Sequence, residues 1–159
     1  MTVLGICIRK KRVHFAVLHK NEKELITLIS TDDNHRISVP EDCFKAEQHI
    51  PAQTIVWFDK ELKKIDATYN IDKIALKIAG YEIDNVDNRR KSYLEAVTYL
   101  QGKPVREYNN KQNFLKETKK KGGAKAYVTE HKIQPVKDCD EALAFAIACA
   151  YHCISNSTD

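Results

Sequence analysis

Along the first third of the chain, short apolar runs alternate with charged turns. Thr2 to Ile8 is apolar, and Arg9-Lys10-Lys11-Arg12 closes it. Val13-His14-Phe15-Ala16-Val17-Leu18 follows, with Val13, Phe15 and Val17 on one face. The polar turn His19 to Lys23 leads into Leu25-Ile26-Thr27-Leu28-Ile29. Runs rich in β-branched and aromatic residues, separated by short turns, predict a three-strand antiparallel meander. From Ser30 to Pro51 the pattern is irregular and polar. That predicts a long loop with a short edge strand around Ile37-Ser38-Val39, and loops of this length tend to carry something unusual.

The period then changes. Ile55, Phe58, Leu62, Ile65 and Tyr69 recur at three- and four-residue spacing, which predicts a helix with one apolar face. Pro51 suits its first turn, and Asn70 ends it. Lys73-Ile74-Ala75-Leu76-Lys77-Ile78 predicts a strand, parallel to an earlier one because a helical crossover precedes it. Tyr93, Leu94, Val97 and Leu100 predict a second helix, closed by Gly102. Pro104 to Tyr108 is a fifth strand, and Phe114-Leu115 mark a short helix. Lys119-Lys120-Lys121-Gly122-Gly123-Ala124-Lys125 reads as a basic, flexible loop. Ala142 to Tyr151 is apolar almost all round, so the last helix is buried on most sides, and its alanines allow a close approach to a sheet. The order β-β-β-α-β-α-β-α predicts one α/β domain over residues 1–159. Its mixed five-stranded sheet joins the meander to parallel strands, with helices on both faces.

Composition narrows the function classes. Hydrophobic residues are 43% and charged residues 30% of the 159, which excludes a disordered chain. Lys plus Arg number 26 against 22 Asp plus Glu, a net charge of +4, which permits nucleic-acid contact without demanding it. No run of 18 apolar residues occurs, so no membrane span is expected. No basic stretch precedes the first apolar run, so no signal peptide is expected. The five cysteines, Cys7, Cys43, Cys139, Cys149 and Cys153, form no CxxC pair. Free thiols in a reducing cytoplasm are the expectation. A zinc site from Cys139, Cys149 and Cys153 with His131 or His152 is the sharper alternative, but it matches no ligand spacing. Cys7 with His14 or His19 as base is a second alternative, set against a cysteine packed in a central strand. Trp57 and Phe58 are expected at the core and its edge. No GxxxxGK[ST] phosphate loop occurs.

The element order is that of ribonuclease H-like proteins, and two segments go further. Val3-Leu4-Gly5-Ile6-Cys7, and Asp138-Cys139-Asp140-Glu141 running into Ala142-Leu143-Ala144-Phe145-Ala146-Ile147-Ala148, resemble the first strand and final helix of the RuvC-type Holliday junction resolvases. The Lys119–Lys125 stretch is similar to the family's basic, glycine-bearing loop. The resemblance implies a phosphodiester-cutting site that holds two divalent ions, Mg or Mn, on carboxylates. The family draws these from the first strand, from the end of the strand after the first crossover helix, and from the final helix. Here the first position is Cys7, and a neutral thiol is a poor ligand for a hard cation. The second falls near Ile78, with Glu82 and Asp84 just beyond. Asp138, Asp140, Glu141 and Glu82 are therefore the catalytic candidates, with Asp138 and Asp140 as metal ligands. Asp138 and Glu141 are also spaced like a capping box, which explains the acidic start without a metal. With these departures the expectation is a resolvase-like protein with a degraded metal site that binds structured nucleic acid or a protein partner without catalysis. Its partner would be branched or duplex DNA, through Arg89, Arg90, Lys119, Lys120, Lys121 and Lys125, or else a protein or a second copy of the chain. A working metal-dependent nuclease and a purely protein-binding module remain the alternatives.

Overall fold

The computed structural model describes residues 1–9, 12–30, 35–41, 52–78, 86–109, 113–120, 122–133 and 139–157, with the backbone alone at 86–90 and 113. β1 (Thr2–Arg9) and β2 (Arg12–Lys20) form the expected antiparallel pair. β3 (Ile26–Leu28) and β4 (Arg36–Ser38) both pair antiparallel with β2, one at each end. β5 (Lys73–Lys77) follows the helix α1 (Ala52–Tyr69) and lies parallel to β1. β6 (Val105–Tyr108) follows α2 (Val86–Tyr99) and lies parallel to β5. α3 (Asn113–Lys120), α4 (Gly123–Glu130) and α5 (Glu141–Ser155) complete the chain. The strand order is β3-β2-β1-β5-β6, and the short edge strand β4 makes a sixth.

Side chains alternate across the sheet, so each strand feeds two cores. Leu4, Ile6 and Ile8 of β1 pack with Phe58, Leu62 and Ile65 of α1 and with Leu94 and Val97 of α2. Val3 and Cys7 point to the other face, against α5. Gly5 lies between them and decides how close α5 comes. A Cβ on Gly5 would stand 2.0 Å from the carbonyl oxygen of Ala146 and 3.0 Å from the Ala150 Cβ. The alanines of α5 supply the matching flat surface. Cys7 packs on Ala142 and Ala146, while Gly5 lies under Ala146 and Ala150. α5 therefore runs antiparallel to β1, with its N-terminus over the carboxyl ends of β1 and β5.

Two segments differ from the sequence expectation. On α2 the buried stripe is Leu94, Val97 and Thr98, with Glu95 also buried. Tyr93 and Leu100 are 44% and 75% exposed, because Tyr93 is off that stripe and Leu100 is beyond the helix end. The Lys119–Lys125 stretch is no loop. Lys119 and Lys120 end α3, and Gly123 already begins α4. Gly122 and Gly123 have φ of 98° and 89°, a backbone that glycine adopts without strain, so the pair makes a sharp corner between two helices. Lysine is itself a good helix former, and its charge run concealed the helices. Among the described residues, no helix is long and apolar enough to cross a membrane.

Gly5→Ala is expected to destabilise the fold by about 3 kcal/mol or more, since the added methyl meets backbone rather than a movable side chain. Chemical denaturation checks this. A loss below about 1 kcal/mol would mean that α5 does not sit this close.

Candidate functional site

The register of four strand pairings lines up five side chains on the α5 face. Arg36 of β4 pairs with His14 of β2, and His14 pairs with Cys7 of β1. Cys7 pairs with Lys77 of β5, and Lys77 pairs with Tyr108 of β6. This row crosses the carboxyl end of the parallel strands, where open α/β sheets bind their ligands. Directly paired residues share a face, so the row reads Arg-His-Cys-Lys-Tyr beneath the first turns of α5.

Asp140 meets the row from above. Its backbone is extended, and its Oδ1 accepts the N–H of Leu143 at 2.8 Å. It is thus the N-cap of α5, in the role that the Asp138–Glu141 spacing suggested for Asp138. Helix N-caps take a residue in extended conformation directly before the first helical turn, and Asp140 satisfies that. Its other oxygen lies 3.2 Å from Nη2 of Arg36, and Oδ1 lies 3.5 Å from Nδ1 of His14. Burial works against the Asp140 carboxylate. The Leu143 N–H, His14, Arg36 and the Ala142 N–H outweigh it and hold the carboxyl below the usual range. His14 is 3% exposed, and its Nδ1 has no hydrogen-bond partner. Burial lowers its basicity against the pull of Asp140, and an imidazole supplies no anionic charge to a metal site.

Cys7 is 2% exposed, and burial pushes its thiol up despite Arg9 and Lys77 nearby. A nucleophilic cysteine needs a depressed pKa, so Cys7 is a packed core thiol. His19 is not its base, since it pairs with Thr2 at the far end of the sheet. The zinc alternative also fails. Cys149 and Cys153 are buried, while His131 and His152 stack in an aromatic cluster with Tyr127 and Phe114, each at 4.0 Å between ring centroids. No group of three His, Cys, Asp or Glu able to hold a metal occurs among the described residues.

The remaining candidates separate. Glu141 does not join Asp140, because its Oε1 accepts the N–H of Ala124 at 3.1 Å and so ties the start of α4 to the start of α5. Lys119, Lys120 and Lys125 are exposed on the α3–α4 pair. Arg89 and Arg90 fall on α2, with their side chains outside the description. Asp138, Glu82, Asp84 and Lys121 lie outside the described residues. Two members of the row were missed in the sequence. Arg36 sat in the stretch read as irregular, and Lys77 read as a polar alternate of its strand, one residue short of Ile78. Only the β1–β5 register shows that Lys77 stands abreast of Cys7.

Thermus thermophilus RuvC bound to a Holliday junction substrate matches 97% of this chain over 94% of its own, with a TM-score of 0.68 at 14% identity. The fold is that of RuvC. The yeast mitochondrial Holliday junction resolvase Ydc2 matches 96% of this chain over 77% of its own, with a TM-score of 0.63 at 15% identity. The Fowlpox virus resolvase in complex with junction DNA matches 98% over 97%, at 0.55 and 13%. No family profile and no curated protein matches the sequence. Within this RuvC fold, the described donors do not suit a pair of Mg or Mn ions. Such ions take carboxylate oxygens, whereas the row offers a guanidinium, an imidazole, a thiol, an ammonium and a phenol, with the Asp140 carboxylate above it already engaged.

The cap sets a testable pH effect. Asp140→Ala is expected to cost about 1 kcal/mol, and Asp140→Asn less, because Asn caps nearly as well. A carboxyl with a depressed folded-state pKa stabilises fully above its unfolded pKa and loses that as pH falls through the folded one. The stability gap between the native protein and Asp140→Asn therefore closes on acidification below about pH 4. Denaturant melts at several pH values check it, and a gap that widened toward low pH would be inconsistent with the Arg36 pairing.

Proposed function

We propose that this chain is a RuvC-like domain that binds branched DNA without cutting it by a two-ion mechanism. The observation that carries the reading is the cross-sheet row, in which Lys77 and Cys7 stand side by side where a pair of divalent cations would need anionic ligands. A buried ammonium in that place repels a cation instead of binding it.

The DNA-binding half of the reading rests on charge and on the likeness to proteins solved with junction DNA. Lys119, Lys120 and Lys125 are exposed together on α3 and α4, and Glu141 fixes that pair to the end of the sheet where the row lies. Phosphate contacts by long cationic side chains give affinity that falls steeply with salt.

A labelled four-way junction is therefore expected to bind in EDTA, with affinity that drops as salt rises. Changing Lys119, Lys120 and Lys125 together to Glu should weaken it by more than about tenfold at moderate salt. Adding magnesium or manganese should produce no cleavage. Metal-dependent cleavage that Asp138→Ala with Asp140→Ala abolishes would establish the nuclease alternative, with Glu82 as its further ligand. Absence of any junction or duplex binding would leave a protein partner or a second copy as the ligand.

A further inference from the structure

Lys77 is a charged residue in a place where charge is costly. It is 8% exposed, it closes a parallel strand, and its paired neighbours on either side are Cys7 and Tyr108. An ammonium has three protons to donate. Its Nζ gives one to the backbone oxygen of Ile78 at 2.9 Å and lies 5.7 Å from the centre of the Phe145 ring. No carboxylate lies within ion-pair distance of it among the described residues. Burial disfavours its charged form, and the attractions that offset this come from the Cys7 and Cys149 thiols and, more weakly, from Glu95 on α2, while Arg9 opposes them. A leucine would fill the same space without that cost, since charges left unpaired inside a fold are strongly unfavourable.

The surroundings point the same way. Arg36 lies in the same row, drawn to Asp140, and the buried His14 beside it keeps an unpartnered Nδ1. Among the described residues, this end of the sheet therefore sets the cationic Lys77 and Arg36 against the engaged carboxylate of Asp140. An anion beside α5 would meet two Lys77 protons that have no partner among the described residues.

We propose that Lys77 takes one backbone phosphate of the bound nucleic acid, as an internal cation that replaces the metal ions in holding it. This rests on the reading of the chain as a metal-independent DNA binder and adds a named ligand group and a named residue to it. A phosphodiester suits the site because its single delocalised charge is offset by one ammonium. The same chemistry would accept a free phosphate anion, so the test separates the two.

The experiment measures four-way junction binding by fluorescence anisotropy in EDTA across a range of salt. The native protein is compared with Lys77→Met and Lys77→Arg. Losing one phosphate contact should lower the slope of log affinity against log salt by about 0.9. Lys77→Met is expected to show that loss and Lys77→Arg to restore it, with thermal unfolding confirming that each variant folds. In the native protein, the Lys77 side-chain NMR signal should shift on adding junction, a readout that needs no variant. A steep native slope left unchanged by Lys77→Met, with no shift of that signal, would overturn this inference and leave the binding function standing. No junction binding by the native protein would overturn both. Inorganic phosphate should displace junction no better than chloride at equal ionic strength. Selective displacement that Lys77→Met removes would reassign Lys77 to a free anion and overturn the assignment to DNA.

Discussion

The approach of α5 to β1 governs the rest of the molecule. A helix backbone can lie that near a strand only where neither surface carries a side chain of any size. Gly5 has none, and Ala146 and Ala150 have one carbon each. The contact fixes the direction of α5 as well as its distance, because Cys7 meets Ala142 and Ala146 while Gly5 meets Ala146 and Ala150. The cap of α5 is thereby held over the carboxyl end of the sheet. Asp140 meets Arg36 and His14 only because of that placement, and Glu141 reaches the start of α4 for the same reason.

Beneath that cap, the chemistry of the row is set by strand register. A shift of one residue between β1 and β5 would send Lys77 to the opposite face and bring Ile78 to the α5 side. The observed register instead assembles Arg36, His14, Cys7 and Lys77 in a line. In the reading proposed above, such a line takes an anion in place of divalent cations. The α3–α4 pair then extends the positive surface outward, secured by Glu141 and by the stacked rings of Phe114, His152, Tyr127 and His131. One architecture therefore serves both a buried cation and an exposed basic surface.

Much of the architecture was legible in the sequence, because it depends on local period. The meander, the parallel β5, the buried α5 and the thiol at position 7 all follow from spacing and residue type. What was not legible depends on contacts between distant segments. Lys77 looked like an ordinary polar alternate, since nothing within β5 reveals which residue of β1 it faces. Arg36 fell in a segment whose pairing with β2 leaves almost no periodic signal over three residues. The lysine and glycine run suggested a flexible loop, although lysine favours helices and two glycines suffice for a corner. Asp138 and Asp140 are equally acidic and two residues apart, and only the onset of α5 decides which one caps it.

The account depends most on the end of the sheet being cationic where a nuclease of this fold would be anionic. A crystal of the full chain soaked in manganese, with anomalous scattering used to locate the ion, addresses that directly. The account predicts no manganese peak between the carboxyl ends of β1 and β5 and the N-terminus of α5. Two fully occupied peaks there, bridged by acidic side chains, would contradict it.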